Sequence, residues 1–287
     1  MIALWHRLPV IVRAAVTGGF VATLGTLPWA LLVALNVKHG SAVPWAVPPT
    51  ALYLWFFWRW VRGAWWPRST AEARRALSRA NPVPDEMWGL AIFAGLLGLV
   101  VVLLLQTVMS RLVTIPRQQD IDPSRYPLVT VLLWVLMSAA VAGVVEETAF
   151  RGYLQGPIER RHGPLIAILV TGILFGFLHF THPEVTLALM PFYLAVAAVH
   201  GTLAYLTNSI WPSMVLHAGG NVFAAFDLFA RGHSEWQGLG EGSRAQLIWD
   251  TGPDAAFWTS VGATLVVGAA AVWAYIMLAR LRRASTG

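Results

Sequence analysis

The stretch from residue 88 to residue 110 reads WGLAIFAGLLGLVVVLLLQTVMS and contains no charged residue. A transmembrane helix needs about 20 consecutive, mostly apolar residues, so this stretch is long enough to cross a bilayer. A second clear stretch covers residues 255–279, reads AAFWTSVGATLVVGAAAVWAYIMLA, and is equally free of charge. These two segments predict an integral membrane protein.

Composition extends this prediction to the whole chain. The sequence is 57% hydrophobic and 12% charged, whereas soluble domains average about 25% charged residues. Five tryptophans and three arginines lie between residues 55 and 68, a mixture typical of the membrane–water interface. The fold class predicted is all-α: a polytopic transmembrane helical bundle of about eight spans, forming a single membrane domain over residues 1–287. The other six candidate spans are residues 10–36, 43–60, 127–150, 164–181, 185–206 and 209–229.

The basic residues predict the orientation of these spans. With the N-terminus placed in the cytoplasm, 14 of the 20 Lys and Arg residues fall in inner segments and 6 in outer segments. Inner loops of membrane proteins are enriched in basic residues, so both termini are predicted to be cytoplasmic. The same bias explains the excess of basic over acidic residues, and we expect no nucleic-acid partner. Cysteine is absent, which excludes a disulfide framework and a thiol nucleophile.

Two loops carry weaker predictions. The longest inner loop runs from Arg62 to Glu86, and its stretch from Ser69 to Arg79 is predicted to be either a short surface helix or a solvated linker. The polar, Gly-rich loop from residue 231 to residue 254 is predicted to be irregular.

A first cluster of ionisable residues continues the apolar run that begins at Leu128. It contains Glu146, Glu147 and Arg151. On an α-helix, Glu147 and Arg151 are four residues apart and face each other, whereas Glu146 is rotated about 100° from Glu147. We therefore expect Arg151 to hold Glu147, and Glu146 to point elsewhere and remain free for chemistry. An ordinary charge cluster at a helix end is the alternative explanation.

A second cluster lies in the next candidate span. Gly172 and Gly176 form a pair of small residues four apart, which permits another helix to approach closely. His179 shares their face and is expected to project into that contact. A histidine hydrogen-bonded to a neighbouring backbone or hydroxyl group is the alternative explanation.

A third cluster combines His217 and Asn221, four residues apart on one helix face together with Ser213. Hydrogen bonds between helices would explain this pair without any catalytic role. His200 lies inside the preceding span and is a further candidate, but the sequence does not indicate its partner.

The three clusters together favour one polar site inside the membrane. Ionisable groups within spans are expensive to bury and commonly mark functional sites. Glu146 and His179 lie on either side of the predicted turn at residues 160–163, at about 20–25 Å from it along their helices. A carboxylate and a histidine can activate water, and a histidine with an asparagine can stabilise an oxyanion. The same Glu/His/His set could instead ligate a divalent metal such as zinc.

In this order on three late spans, the clusters resemble the motifs of the CAAX prenyl protease and bacteriocin-processing (CPBP, or Abi) family of intramembrane proteases. The family pattern is E-E-x-x-x-R, then F-x-x-x-H, then H-x-x-x-N or D. This sequence matches all three motifs, from Glu146 to Arg151, from Phe175 to His179 and from His217 to Asn221. The resemblance covers a motif-bearing core of about residues 128–226.

The resemblance implies an endopeptidase that hydrolyses a peptide bond of a membrane-associated peptide or protein. It implies that Glu146 and His179 activate the water, that His217 and Asn221 stabilise the oxyanion, and that Glu147 and Arg151 support the site. The cofactor is left open: if a metal such as zinc is present, Glu146, His179 and His217 would ligate it, but a metal-free glutamate mechanism is favoured slightly.

The expected partners are the lipid bilayer and a membrane-associated substrate. The short, cysteine-free chain favours a bacterial cytoplasmic membrane. Two other classes of function stay open. One is a non-catalytic scaffold or bacteriocin-immunity protein with the same fold, and the other is a transporter, since charges inside spans also mark ion paths.

Overall fold

The computed structural model describes residues 5, 7–114, 125–179, 183–231 and 247–286, and these ranges contain helices and no β-strand. Proline stands at or near the start of several helices, where its missing N–H group costs no helical hydrogen bond. The helices are α1 (Val10–Lys38), α2 (Val47–Val61), α3 (Ala71–Ser78), α4 (Asp85–Ser110), α5 (Leu128–His162), α6 (Pro164–Leu178), α7 (Pro183–Thr207), α8 (Trp211–Arg231), α9 (Ile248–Thr251) and α10 (Ala255–Thr286).

Each of the eight predicted spans corresponds to a helix, which confirms the all-α membrane bundle. Within the described residues, five helices are long and apolar enough to cross a membrane: α1, α4, α5, α7 and α10. Helices α2 and α6 have 15 residues each, or about 22 Å, which is less than the hydrocarbon thickness of about 30 Å. The predicted number of about eight spans is therefore approximate.

The inner loop from Arg62 to Glu86 contains the predicted short helix, α3. Its Arg74 is buried and donates hydrogen bonds to the carbonyl oxygens of Trp60, Trp65 and Pro67. The helix is thus fixed to the end of α2 rather than free on the surface. The loop predicted to be irregular lies outside the described residues from 232 to 246, and the cytoplasmic placement of both termini stays a prediction.

Helix α1 packs along α5 through small residues. A Cβ atom on Gly25 would lie 2.2 Å from Cγ1 of Val145, and one on Gly18 would lie 2.9 Å from Cβ of Leu154. Trp29 of α1 donates a hydrogen bond of 3.0 Å to the hydroxyl of Ser138. These contacts hold the middle of α5 in the interior of the bundle.

Helices α4 and α7 also meet at glycines. A Cβ atom on Gly98 would lie 2.7 Å from Val199, and one on Gly95 would lie 2.2 Å from Leu216 of α8 and 2.9 Å from Leu203 of α7. Helix α4 therefore packs on both α7 and α8 at the level where they carry His200 and His217.

The predicted close approach at Gly172 and Gly176 is confirmed. A Cβ atom on Gly172 would lie 2.9 Å from Ala197, and one on Gly176 would lie 3.1 Å from Met190 and Tyr193, all on α7. Glycine at these two positions lets α6 and α7 pack in close contact.

Helix α5 passes through Gly152 and Pro157 without a break. At Gly152 the end of α3 approaches so closely that a Cβ atom would lie 2.5 Å from the carbonyl oxygen of Leu77. A methyl group on residue 152 would therefore contact the backbone of α3, which has little freedom to move.

We expect Gly152→Ala to lower the free energy of unfolding by about 1–3 kcal/mol, the usual cost of overpacking. Gly156→Ala is the matched control, because it gains the same helix propensity and its Cβ atom would lie at ordinary contact distances, 3.5 Å from the flexible end of Arg160 and 3.9 Å from the carbonyl oxygen of Arg151. Thermal unfolding in detergent measures both variants. Equal or higher stability of Gly152→Ala would show that α3 does not pack against α5 in this way.

Candidate active site

The central segment of α5, Ala142–Gln155, is wound as a π-helix instead of the α-helix that the sequence predicted. In a π-helix each N–H group bonds to the carbonyl five residues earlier, and such segments occur frequently at functional sites. Because a π-helical turn is wider, the angle between successive side chains about the helix axis is smaller than in an α-helix. Two adjacent side chains, Glu146 and Glu147, can therefore face the same neighbouring helix.

Glu147 is fully buried and is held by three side chains. The Arg151 Nε atom lies 3.3 Å from Oε2 of Glu147, which is the contact expected from their spacing of four residues. The hydroxyl of Ser213 donates a hydrogen bond to the same oxygen. The other oxygen, Oε1, lies 2.8 Å from Nδ1 of His217. Glu147 thus joins α5 to α8 through both carboxylate oxygens.

His217 also faces the neighbouring glutamate. Its Nε2 atom lies 3.8 Å from Oε2 of Glu146, and the two side chains are 12% and 17% exposed. The expectation that Glu146 would point away from the surroundings of Glu147 is therefore wrong, because the π-helical turn directs both carboxylates toward His217. The Oε2 atom of Glu146 is buried and has no hydrogen-bond partner among the described residues.

His179 directly follows the last residue of α6. Its Nδ1 atom is 2.9 Å from the carbonyl oxygen of Phe175, and its ring packs on the rings of Phe175 and Tyr193. Phe175 in turn contacts Phe150 of α5 with ring centroids 5.0 Å apart. In the described part of the chain no ion pair joins His179 to Glu146, so the structure brings Glu146 to His217 and not directly to His179.

Asn221 lies one turn beyond His217 on α8 and is half-buried. Its side chain makes no hydrogen bond to any residue that the structure describes. Its amide group therefore keeps its donors available next to His217.

Two polar residues join the site in addition to the predicted set. His200 of α7 is 2% exposed and its Nδ1 atom lies 2.9 Å from the hydroxyl of Ser213. The ring centroids of His200 and His217 are 5.2 Å apart. The spacing of Ser213 and His217 on one helix face was visible in the sequence, but the contact with His200 depends on the packing of α7 against α8.

The residues present do not form a complete metal site in this arrangement. A catalytic zinc ion takes three protein ligands at about 2.0–2.2 Å. No three His, Cys, Asp or Glu side chains within the described ranges are grouped closely enough to hold a metal ion. Of the three predicted ligands, Glu146 and His217 lie 3.8 Å apart, and within the described ranges no ion pair joins His179 to Glu146.

Residues 128–223 match a protein-family model described as type II CAAX prenyl endopeptidase Rce1-like. The matched range contains all three motifs and the buried network around Glu147, and the match confirms the resemblance predicted from those motifs. No curated protein and no solved structure matches the chain.

Proposed function

Because residues 128–223 are similar to the Rce1-like endopeptidases, we propose that this integral membrane protein is an intramembrane endopeptidase. Its substrate would be a membrane-associated peptide or protein, since Glu146 lies within α5, a helix long enough to span the bilayer. The proposal concerns the hydrolysis of one peptide bond by a water molecule activated in the site.

One observation carries the proposal: a buried, unpartnered carboxylate oxygen faces an oriented histidine. The 3.8 Å between Glu146 Oε2 and His217 Nε2 is too long for a direct hydrogen bond. It is short enough for one water molecule to bond to both atoms. Glu147 fixes the opposite nitrogen of His217 and so orients the imidazole ring. This arrangement supports Glu146 as a general base with a positioned water molecule.

The proposed reaction uses these contacts. Glu146 takes a proton from the water while the water oxygen attacks the carbonyl carbon of the scissile peptide bond. The carbon–nitrogen bond then breaks, and Glu146 returns the proton to the leaving nitrogen. The products are a carboxyl group and an amine, and Glu146 ends as it began. His217 accepts the second hydrogen of the water, which directs the oxygen lone pair toward the substrate.

The developing oxyanion requires donors close to the attacked carbonyl group. Asn221 is suited to this part, because its amide has no partner among the described residues and lies one turn from His217. Preorganised donors of this kind contribute about 10²–10³-fold in rate. The part of His179 in activating the water stays a prediction from the resemblance, and the contacts favour His217 as the second partner of the water.

A cleavage screen in proteoliposomes tests the proposed function. Peptides with apolar membrane anchors, including prenylated C-terminal peptides, are incubated with the wild-type protein, and the products are identified by mass spectrometry. Glu146→Gln supplies the background. We expect products only with the wild type. A scaffold would give no products with either protein, and a transporter would give solute flux without cleavage, and either result would contradict the proposal.

We expect cleavage to survive metal removal, because Glu146 and His217 lie close enough to share the water directly. The measurement is the initial rate before and after dialysis against a strong chelator, with an added-zinc sample as control. Loss of activity that only zinc restores would favour the alternative in which Glu146, His179 and His217 ligate a metal.

A further inference from the structure

His200 belongs to none of the three motifs, yet it lies fully inside the polar network. It is 2% exposed, and a buried polar group of this size is costly unless it is hydrogen-bonded. Its Nδ1 atom lies 2.9 Å from Oγ of Ser213, and its ring lies beside that of His217 at 5.2 Å between centroids.

The direction of the hydrogen bonds follows from the number of protons available. The carboxylate of Glu147, paired with Arg151, can only accept. Ser213 therefore gives its single proton to Oε2 of Glu147. Its oxygen has no proton left for His200, so Nδ1 of His200 must donate to it.

The same argument fixes the tautomer of His217. Oε1 of Glu147 accepts at 2.8 Å from Nδ1 of His217, so the proton of the neutral ring lies on Nδ1. The lone pair of His217 then lies on Nε2, the atom that faces Glu146. One chain of hydrogen bonds thus runs from His200 through Ser213 and Glu147 to His217.

We propose that His200 is a positioning residue of the site: it acts through Ser213 to hold Glu147 and thereby keeps His217 with its Nε2 lone pair directed at the water. The catalytic effect of His200 rests on the proposed function, since it requires that the protein cleaves peptides. Its structural part, the chain of hydrogen bonds, stands on the contacts alone. Without the donor at His200, the Ser213 hydroxyl loses one of its two fixed partners and can rotate away from Glu147.

Four single variants and one double variant distinguish a positioning role of His200 from a packing role. His200→Phe keeps an aromatic ring and removes the donor, whereas His200→Asn places an amide N–H close to the position of Nδ1. Ser213→Ala breaks the chain one step later, and it is combined with His200→Phe in a double-mutant cycle. His162→Phe is the control, because His162 is exposed at the end of α5.

We expect His200→Phe to lower kcat by about 10–100-fold with KM unchanged, as with other residues that orient a site histidine. His200→Asn should retain most of kcat, and His200→Phe should add little to Ser213→Ala, since both break one chain. Wild-type kcat in His200→Phe, failure of His200→Asn to rescue, or additive effects in the cycle would each overturn the proposal.

Nitrogen NMR of ¹⁵N-histidine-labelled protein tests the chain independently of activity. The wild type and His200→Asn should show His217 with its proton on Nδ1, and His200→Phe should shift both ring nitrogens of His217. Unchanged His217 signals in His200→Phe would overturn the proposal. If the wild type cleaves no peptide, the proposed function fails and the NMR result still decides the role of His200.

Discussion

Glu146→Gln is expected to reduce kcat for peptide cleavage by about 10²–10⁴-fold, the usual cost of losing a general base. The amide has nearly the same shape as the carboxylate but cannot take a proton from water. Because Oε2 of Glu146 has no hydrogen-bond partner among the described residues and lies 3.8 Å from Nε2 of His217, the substitution breaks no direct hydrogen bond at that oxygen. We therefore expect the melting temperature to stay close to that of the wild type.

Two further variants make this result specific. Glu86→Gln carries the same chemical change at an exposed position in the first turn of α4 and should leave kcat unchanged. Glu147→Gln should lower both activity and stability, since it leaves Arg151 without its carboxylate and weakens the hold on His217. Turnover by Glu146→Gln at the wild-type rate would remove Glu146 from the mechanism.

Arg151→Met is expected to have the largest effect on stability. Arg151 is completely buried and lies 3.3 Å from Glu147, with its guanidinium 5.9 Å from the ring centroid of Phe175. Removing one partner of a buried ion pair leaves the other charge uncompensated and costs about 3–5 kcal/mol. For a protein of this size that corresponds to a fall in melting temperature on the order of 10 °C.

The double variant Arg151→Met/Glu147→Gln tests the cause of this loss. It removes both charges, so it should be more stable than Arg151→Met alone, even though each change also removes a native contact. Thermal unfolding of the two proteins in the same detergent gives the comparison. An unchanged melting temperature in Arg151→Met would show that the buried ion pair does not stabilise the fold.

The membrane bundle could be predicted because apolar length is a local property of the sequence. The helices α4 and α10 follow directly from two charge-free stretches. The exact number of spans does not follow from apolar length alone, because α2 and α6 are short: Pro48 and Pro49 lie at the start of α2, and Gly163 turns the chain into α6 with φ of 82°.

The site could be predicted in part for the same reason. The ion pair between Glu147 and Arg151 follows from a spacing of four residues, which a helix brings together. The bond between Glu147 and His217 joins residues 70 apart in sequence, and no local pattern indicates it. The π-helical turn could not be predicted either, because the segment Ala142–Gln155 carries no local signal that distinguishes five-residue from four-residue hydrogen bonding. His200 appeared isolated for a related reason, since its partner belongs to another helix.

Single-turnover cleavage in H₂¹⁸O tests most directly whether Glu146 activates water for hydrolysis. A membrane-anchored peptide is mixed with excess wild-type protein, and both the products and the protein are analysed by mass spectrometry. Direct attack by water predicts one ¹⁸O atom in the new C-terminal carboxylate and no peptide fragment attached to the protein at any time. A fragment covalently bound to the protein during the turnover, or cleavage at the same rate by Glu146→Gln, would contradict the account.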